Sequence, residues 1–359
     1  MNTDHKEFPI LHQYIYANTA ATGLLGANLL EWRQEHDLDY LVGGSMMKMH
    51  ANAMLADVRK TVGHFFNASS EEIILVPSFT LGLNVLLEGL SPKEKVLLLK
   101  GDYPSLNRPF ESRDFKKEYI NITDRLEEAI YEAVQTKKIT VLALSVVQWL
   151  DGIKIDLGFL HQLKKDFPSL LILADGTQFL GTSNFDFQES AIDVIGASAY
   201  KWLLSGFGNG ILLVSEAAQE RFKIRSNGYG SGRNQNDTMH QRTFAKRMEP
   251  GHLDTLNFGS LGFALSRLKN IGMDSIGGKI DTLSYHAKEV FTNLGLLSSV
   301  VVKRPLHSSI FNIKGGEATF GLLTQENIVC SQRGDGIRLS FHYYNTVNEI
   351  DRIADILKK

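Results

Sequence analysis

The sequence predicts an α/β fold: a mostly parallel central sheet flanked by helices, with a smaller α+β domain beside it. Three observations carry this. At 359 residues the chain exceeds what one hydrophobic core usually organises, so a large domain with a companion is expected. From about residue 70, short apolar runs alternate with helical stretches, as in strands linked by crossover helices. Those runs are apolar throughout rather than at every second position, which suits strands covered on both faces.

The predicted strands are 73–76, 95–99, 140–145, 170–174, 193–197 and 211–214. Between them 124–133 is a helix, with Leu126, Ile130 and Val134 on one stripe and Asp124 with Glu127 as a capping box. Residues 225–257 lose apolar periodicity for longer than a typical connection, so they are expected to be a functional or mobile loop. Beyond it come helices at 260–268 and 281–296, strands at 299–302 and 336–340, and a closing helix at 346–357. Its stripe is Ile350, Ile353 and Leu357, and Thr346 with Glu349 form its capping box. The expected division is 17–258 for the large domain and 1–16 plus 259–359 for the small one.

Composition narrows the function. With 43% hydrophobic and 22% charged residues the chain is globular rather than disordered. Lys and Arg number 38 against 40 Asp and Glu, a net charge of -2. No long basic run stands out, so nucleic acid is an unexpected partner. Residues 1–10 lack an apolar signal core and no later run reaches membrane-spanning length, so a cytoplasmic protein with no membrane partner is expected. The single cysteine, Cys330, excludes an internal disulfide and a cysteine zinc cluster. The histidines form no HExxH, and no metal site is expected.

Chemistry gathers at strand ends. In ADGTQFLG, Asp175 follows a buried strand directly, and parallel sheets bind ligands at the carboxyl ends of their strands. An isolated Asp-Gly more often begins a turn. In DVIGASAYKWLLSGFGNG, Lys201 lies four residues past another such strand. Alone, it would be a surface lysine. Together, one amine and one carboxylate are what a pyridoxal cofactor needs: the amine forms the Schiff base and the acid keeps the ring nitrogen protonated. GFGNG leads into a strand rather than a helix, so it is no dinucleotide fingerprint.

These residues resemble the class V aminotransferases, the fold type I pyridoxal 5'-phosphate (PLP) enzymes that include cysteine desulfurases, kynureninases and isopenicillin N epimerases, over most of the chain. ADGTQFLG is similar to the family's Asp-Gly-Ala-Gln block, which implies Asp175 on the pyridinium and Gln178 donating to the phenolic oxygen. SAYK is similar to its Ser-Gly/Ala-His-Lys block, with Lys201 as the imine lysine, Ser198 as a phosphate ligand and Tyr200 in place of the usual histidine. VPSFTLGLNVLLEGL resembles the phosphate cup, with Phe79 and Thr80 as ligands where a helix N-terminus faces an anion; otherwise Ser78 or Thr80 is a helix cap. The resemblance places Tyr103 over the cofactor ring and Gln148 near the phenolic oxygen.

GIRLSFHYYNTVNEIDRI resembles the family's C-terminal signature, and Arg338 is the implied carboxylate ligand, since a guanidinium matches a carboxylate bidentately. YIYANTAATGLL resembles the opening block, with Asn18 replacing an aspartate and Ala20 and Ala21 leaving room for substrate. Two departures stand out. The Gly-Thr that reaches the neighbouring subunit's phosphate is Gly251-His252 here, so His252 or Thr255 is the substitute, and a homodimer with shared sites is expected. Cys330 lies eight residues before Arg338, in an apolar run where a buried structural cysteine fits better than a desulfurase nucleophile. Trp149, Trp202 and Arg233 are further candidates for pocket walls, and His342 is the one histidine near the site. The expected activity is amino transfer between an amino acid and a keto acid. The alternative is a lyase, cysteine desulfurase or epimerase of the same family, since the pocket selects which bond breaks. A non-enzymatic relative is disfavoured by the presence of Asp175, Gln178, Lys201 and Arg338.

Overall fold

The structure, a computed structural model, describes residues 6–228 and 243–358. A short strand β1 (Ile15–Tyr16) precedes seven strands that form one sheet: β2 (Ile73–Val76), β3 (Lys95–Lys100), β4 (Lys116–Asn121), β5 (Val141–Ser145), β6 (Leu171–Asp175), β7 (Val194–Ser198) and β8 (Gly210–Val214). Their order is β2-β8-β7-β6-β5-β3-β4. Only β8 runs against its neighbours, so β2, β3, β5, β6 and β7 all end at one edge. Four strands follow: β9 (Ile310–Lys314), β10 (Ile328–Val329), β11 (Ser331–Arg333) and β12 (Gly336–Ser340). β12 pairs antiparallel with β9 and β11, and β1 pairs parallel with β10.

Why the strands are apolar at every position is visible in the core. Ile73, Leu97, Leu142, Ile172, Ile195 and Leu213 belong to one buried cluster. Their alternate neighbours Ile74, Val96, Val141, Leu173, Val194 and Leu212 belong to the other. Each strand therefore feeds two cores, and a two-residue period never shows. The first cluster continues into the C-terminal region through Phe311, Ile337, Leu339 and Ile353, so the sheet and the later elements share apolar packing.

The six strands predicted between 73 and 214, and the one at 336–340, appear with ends shifted by one residue or less, and GFGNG does lead into β8. Four readings need correction. β4 was not foreseen, because this edge strand, KKEYIN, is only half-buried and lacks an apolar run. Residues 299–302 are helical, within Ser299–Lys303, because the Ser298 side chain caps the helix on Val301 N; local capping overrides the β-branched run. The helix expected at 281–296 is Met273–Asn293, its first turns hidden by Gly277 and Gly278. The Asp124–Glu127 capping box does not form. The helix is Leu126–Lys137, and Glu127 instead binds the buried Arg304 guanidinium through both oxygens, at 2.6 and 2.7 Å.

Of the expected loop 225–257, residues 229–242, with Arg233, lie outside the described residues. The remainder contains the short helix Phe244–Met248 and the start of the helix Thr255–Ile271, which begins five residues before the predicted one. Among the described residues no helix is long and apolar enough to cross a membrane.

The C-terminal helix Val347–Leu357 carries the predicted capping box: Thr346 accepts from Glu349 N, and Glu349 accepts from Thr346 N at 2.8 Å. Ile350 and Ile353 are fully buried on its inner face. Thr346→Ala is expected to lower stability by about 1 kcal/mol, measured by chemical denaturation; an unchanged midpoint would show that packing alone holds this helix.

Candidate active site

The shared strand edge assembles the site. At the end of β2, the helix Phe79–Glu88 opens with Ser78 as its cap, and Phe79 N donates to the Ser198 hydroxyl at 3.0 Å. Ser198 N in turn donates to Thr177 Oγ1 at 3.2 Å. The predicted anion ligands Phe79, Thr80 and Ser198 thus stand at one helix N-terminus, where unpaired N–H groups and the helix dipole favour negative charge. Gly196 makes this approach possible, since a Cβ there would lie 2.8 Å from the Phe79 ring.

Asp175 ends β6 and Lys201 follows β7; both are buried. Asp175 Oδ1 accepts from Thr177 N at 2.8 Å. Burial pushes its carboxyl up to about 6, against the opposing pull of its hydrogen bonds and the Lys201 charge. Burial pushes the Lys201 amine down to about 8; Asp175 counters this and the Arg338 charge adds to it. The Lys201 Nζ lies 5.3 Å from the centre of the Tyr103 ring and 5.7 Å from that of Tyr200. The turn carrying the lysine is tightly constrained. Leu204 sits at φ +54°, a costly conformation for a bulky residue, and a Cβ on Gly23 would come within 2.0 Å of the Lys201 carbonyl oxygen.

Two glutamines are locked by donors and acceptors of fixed kind. Trp202 Nε1, which can only donate, meets Gln178 Oε1 at 2.7 Å. The Gln178 amide nitrogen therefore faces the other way, onto Ala20 O at 2.9 Å, with a second hydrogen to spare. Gln148 Nε2 is drawn to Asp102 Oδ2 at 3.3 Å and Ser145 O at 3.4 Å. Its Oε1 is buried and meets no hydrogen-bond partner among the described residues.

Arg338, on β12, is buried. Its Nη1 donates to Trp149 O at 2.7 Å, its Nε has no partner among the described residues, and burial lowers it to about 10. Trp149 bridges to Tyr103, their rings 5.8 Å apart. Ala20 N donates to Ser340 Oγ at 2.9 Å, which ties the opening segment, with half-buried Ala21, to the strand bearing Arg338.

Some expectations are not met within one chain. Thr255 bonds His36 at 3.0 Å, and it lines with His252 a cavity of about 1400 Å³ bounded also by Arg59 and Glu249, with none of the residues around Lys201. Trp202 is fully buried behind Gln178 rather than exposed on a pocket wall. His342 is a packing residue: it accepts from Tyr343 N, meets Trp202 O at 3.0 Å and, being buried, is pushed down to about 3. Cys330 sits between β10 and β11, and burial raises its thiol to about 11. Sequence reasoning missed Asp102, which bonds Ser145 N, Ser145 Oγ and Tyr103 N at 2.8, 2.5 and 2.6 Å. Its only signal in the sequence is an acid two residues past a buried strand, in a Gly-Asp pair that reads equally as a turn.

Comparison with known proteins decides the family. The profile described as Aminotransferase class-V matches residues 15–353. The chain belongs to the class-V aminotransferase family. It is 23% identical to the uncharacterized aminotransferase YcbU of Bacillus subtilis, over 83% of this chain and 81% of that protein. It is also 23% identical to a probable cysteine desulfurase of Methanothermobacter thermautotrophicus, over 99% and 96%. Its fold is that of the cysteine desulfurase from Thermococcus onnurineus NA1 (TM-score 0.84, 18% identity, covering 99% of this chain and 96% of that one). It is equally that of the cystine C-S lyase C-DES (TM-score 0.85, 19% identity, 97% and 99%). The fold is thus fold type I, and the family's cofactor is PLP. This class-V member has a donor set that fits the cofactor: a buried amine of lowered pKa, a buried carboxylate, donors at a helix N-terminus, and buried polar atoms left without partners.

An amine must be neutral to attack an aldehyde. At a pKa of about 8, roughly a tenth of Lys201 is neutral at pH 7, against about four parts in ten thousand for an ordinary lysine. Capture of PLP by cofactor-free protein, followed by stopped-flow absorbance, is therefore expected to quicken with pH through a midpoint near pH 8 and to level off by about pH 9. A rate still climbing at pH 10 would contradict a lysine lowered by burial.

Proposed function

We propose that this class-V protein is a PLP-dependent aminotransferase acting on an amino acid and a keto acid, with Lys201 as the residue that carries the cofactor. The observation that supports it most is the Lys201 amine, buried and lowered to about 8 beside the Asp175 carboxylate and under the Tyr103 ring. In this reading Asp175 faces the pyridine nitrogen, Tyr103 covers the ring, and Gln178 donates its spare amide hydrogen to the phenolic oxygen. Phe79, Thr80 and Ser198 hold the phosphate. When bound, the cofactor supplies an electron sink for negative charge at the substrate's Cα.

The chain's own groups do the rest. Lys201, poised near neutrality, moves a proton at Cα as base and then acid. Arg338, oriented by Trp149 O and offering an unpartnered Nε, receives the substrate carboxylate. Ala20 and Ala21 keep the space beside it small-walled. A desulfurase that stores sulfur on a protein thiolate has little support here, because the chain's one thiol is buried and raised to about 11.

The same reading makes the enzyme a homodimer, with His252 or Thr255 reaching the partner's phosphate. Its support is an apolar surface beside the cavity those residues line. Leu41, Val42 and Met49 are about 80% exposed, and such clusters on a soluble protein usually have a partner surface. A Leu41→Glu, Val42→Glu double variant is expected to sediment as a monomer where the native protein sediments as a dimer. A native monomer with full activity would overturn the shared site.

The activity test is direct. Amino acids are supplied with and without a keto acid acceptor, and keto acid and sulfide are measured. Amino transfer predicts turnover that requires the acceptor and falls by at least about 100-fold in Lys201→Ala. Acceptor-independent release of sulfide or ammonia would assign the lyase chemistry instead.

A further inference from the structure

Asp102 is not absorbed by the reading above. It lies two residues beyond β3, and Ser145, the last residue of β5, stands between it and Asp175, with which Ser145 is paired across the sheet. Its carboxylate is fully enclosed, and four donors meet its two oxygens. Oδ1 accepts from Tyr103 N at 2.6 Å and Ser145 Oγ at 2.5 Å; Oδ2 accepts from Ser145 N at 2.8 Å and Gln148 Nε2 at 3.3 Å. Both oxygens receive a backbone N–H, which cannot turn round. As a carboxylate the group serves only as an acceptor, and these four hydrogen bonds favour that form against the burial that raises its pKa.

A consequence follows for Gln148. An amide side chain can present either end, and its neighbours decide which. Here the nitrogen is committed to Asp102 and Ser145 O, and the oxygen is left buried without a partner among the described residues. Gln178, fixed by the Trp202 indole, is committed the other way and has a hydrogen to give.

We infer that Asp102 is a positioning residue of the cofactor site: it holds Gln148 with its carbonyl oxygen presented to the bound group, so the two glutamines face that group with opposite polarity. Gln178 donates and Gln148 accepts. What Gln148 recognises is then a hydrogen-bond donor, a protonated nitrogen or hydroxyl of the bound cofactor or substrate. The same carboxylate anchors Tyr103 N, so the ring over Lys201 and the acceptor beside it are set by one group. The charges facing the cluster are Asp175 from β6 and Asp151 from the turn after β5, both raised in pKa in part by Asp102, with Lys201 and Arg338 opposite.

The inference rests on Lys201 carrying PLP, and it predicts the resting protein's colour as a function of pH. An acceptor favours the protonated form of its neighbour and so raises that neighbour's pKa. In PLP-loaded protein the visible titration midpoint should fall by roughly one unit in Gln148→Leu. Asp102→Asn should give a similar fall. An amide at position 102 cannot accept from both backbone N–H groups, and placed at the looser Oδ2 side it would draw the Gln148 oxygen round to itself. The double variant should fall no further than Gln148→Leu alone, because Asp102 acts through Gln148. Additive shifts would overturn the inference, as would a visible band that titrates identically in all four proteins. If Asp102→Asn does not fold, Gln148→Leu decides alone, and an unmoved midpoint overturns it. A native protein with no visible band after incubation with PLP would instead fail the cofactor reading, and this inference with it.

Discussion

The architecture depends on keeping an amine buried. Lys201 lies within a low-dielectric interior that disfavours its charge, and Asp175, itself raised to about 6, counters that cost directly. A buried acid raised in pKa beside a buried amine lowered in pKa marks a functional site. Five strands ending at one edge bring the pair together, because each delivers its next residue to the same place: Phe79 after β2, Asp102 and Tyr103 after β3, Gln148 after β5, Asp175 on β6 and Lys201 after β7.

Rigidity around that pair comes from groups with a single hydrogen-bonding role. An indole N–H, two backbone N–H groups and a carboxylate fix the side-chain amides of Gln178 and Gln148. Glycines at 23 and 196 admit backbone and rings at distances no other residue would allow. Arg338 arrives from a separate sheet, held by Trp149 O, and Ser340 ties it to the segment containing Ala20. The short turns after the strands are thereby held within a narrow geometry, as precise positioning of reacting groups requires.

The sequence made the parallel sheet legible because strands buried on both faces are apolar at every residue. It made the C-terminal helix legible because Thr346 and Glu349 have no better partners than each other. It misled at Glu127, whose carboxylate belongs to the distant Arg304, and at 299–302, where one serine cap outweighs a β-branched run. β4 was invisible because an edge strand need not be apolar. Asp175 and Lys201 could be read from strand ends, whereas Asp102 could not be told from a turn residue until Ser145 and Gln148 were brought to it. His252 and Thr255 were legible only as a departure from a pattern, and one chain does not bring them to Lys201.

The central claim is that Lys201 is the amine that takes the cofactor, and a half-buried lysine is available as a rival. Lys154, over the Phe179 ring at 5.3 Å, is also lowered by burial. Borohydride reduction of PLP-loaded protein followed by peptide mapping separates the two. The account predicts one reduced pyridoxyl group per chain, on the peptide containing Lys201. A label on Lys154, or spread over surface lysines, would contradict it.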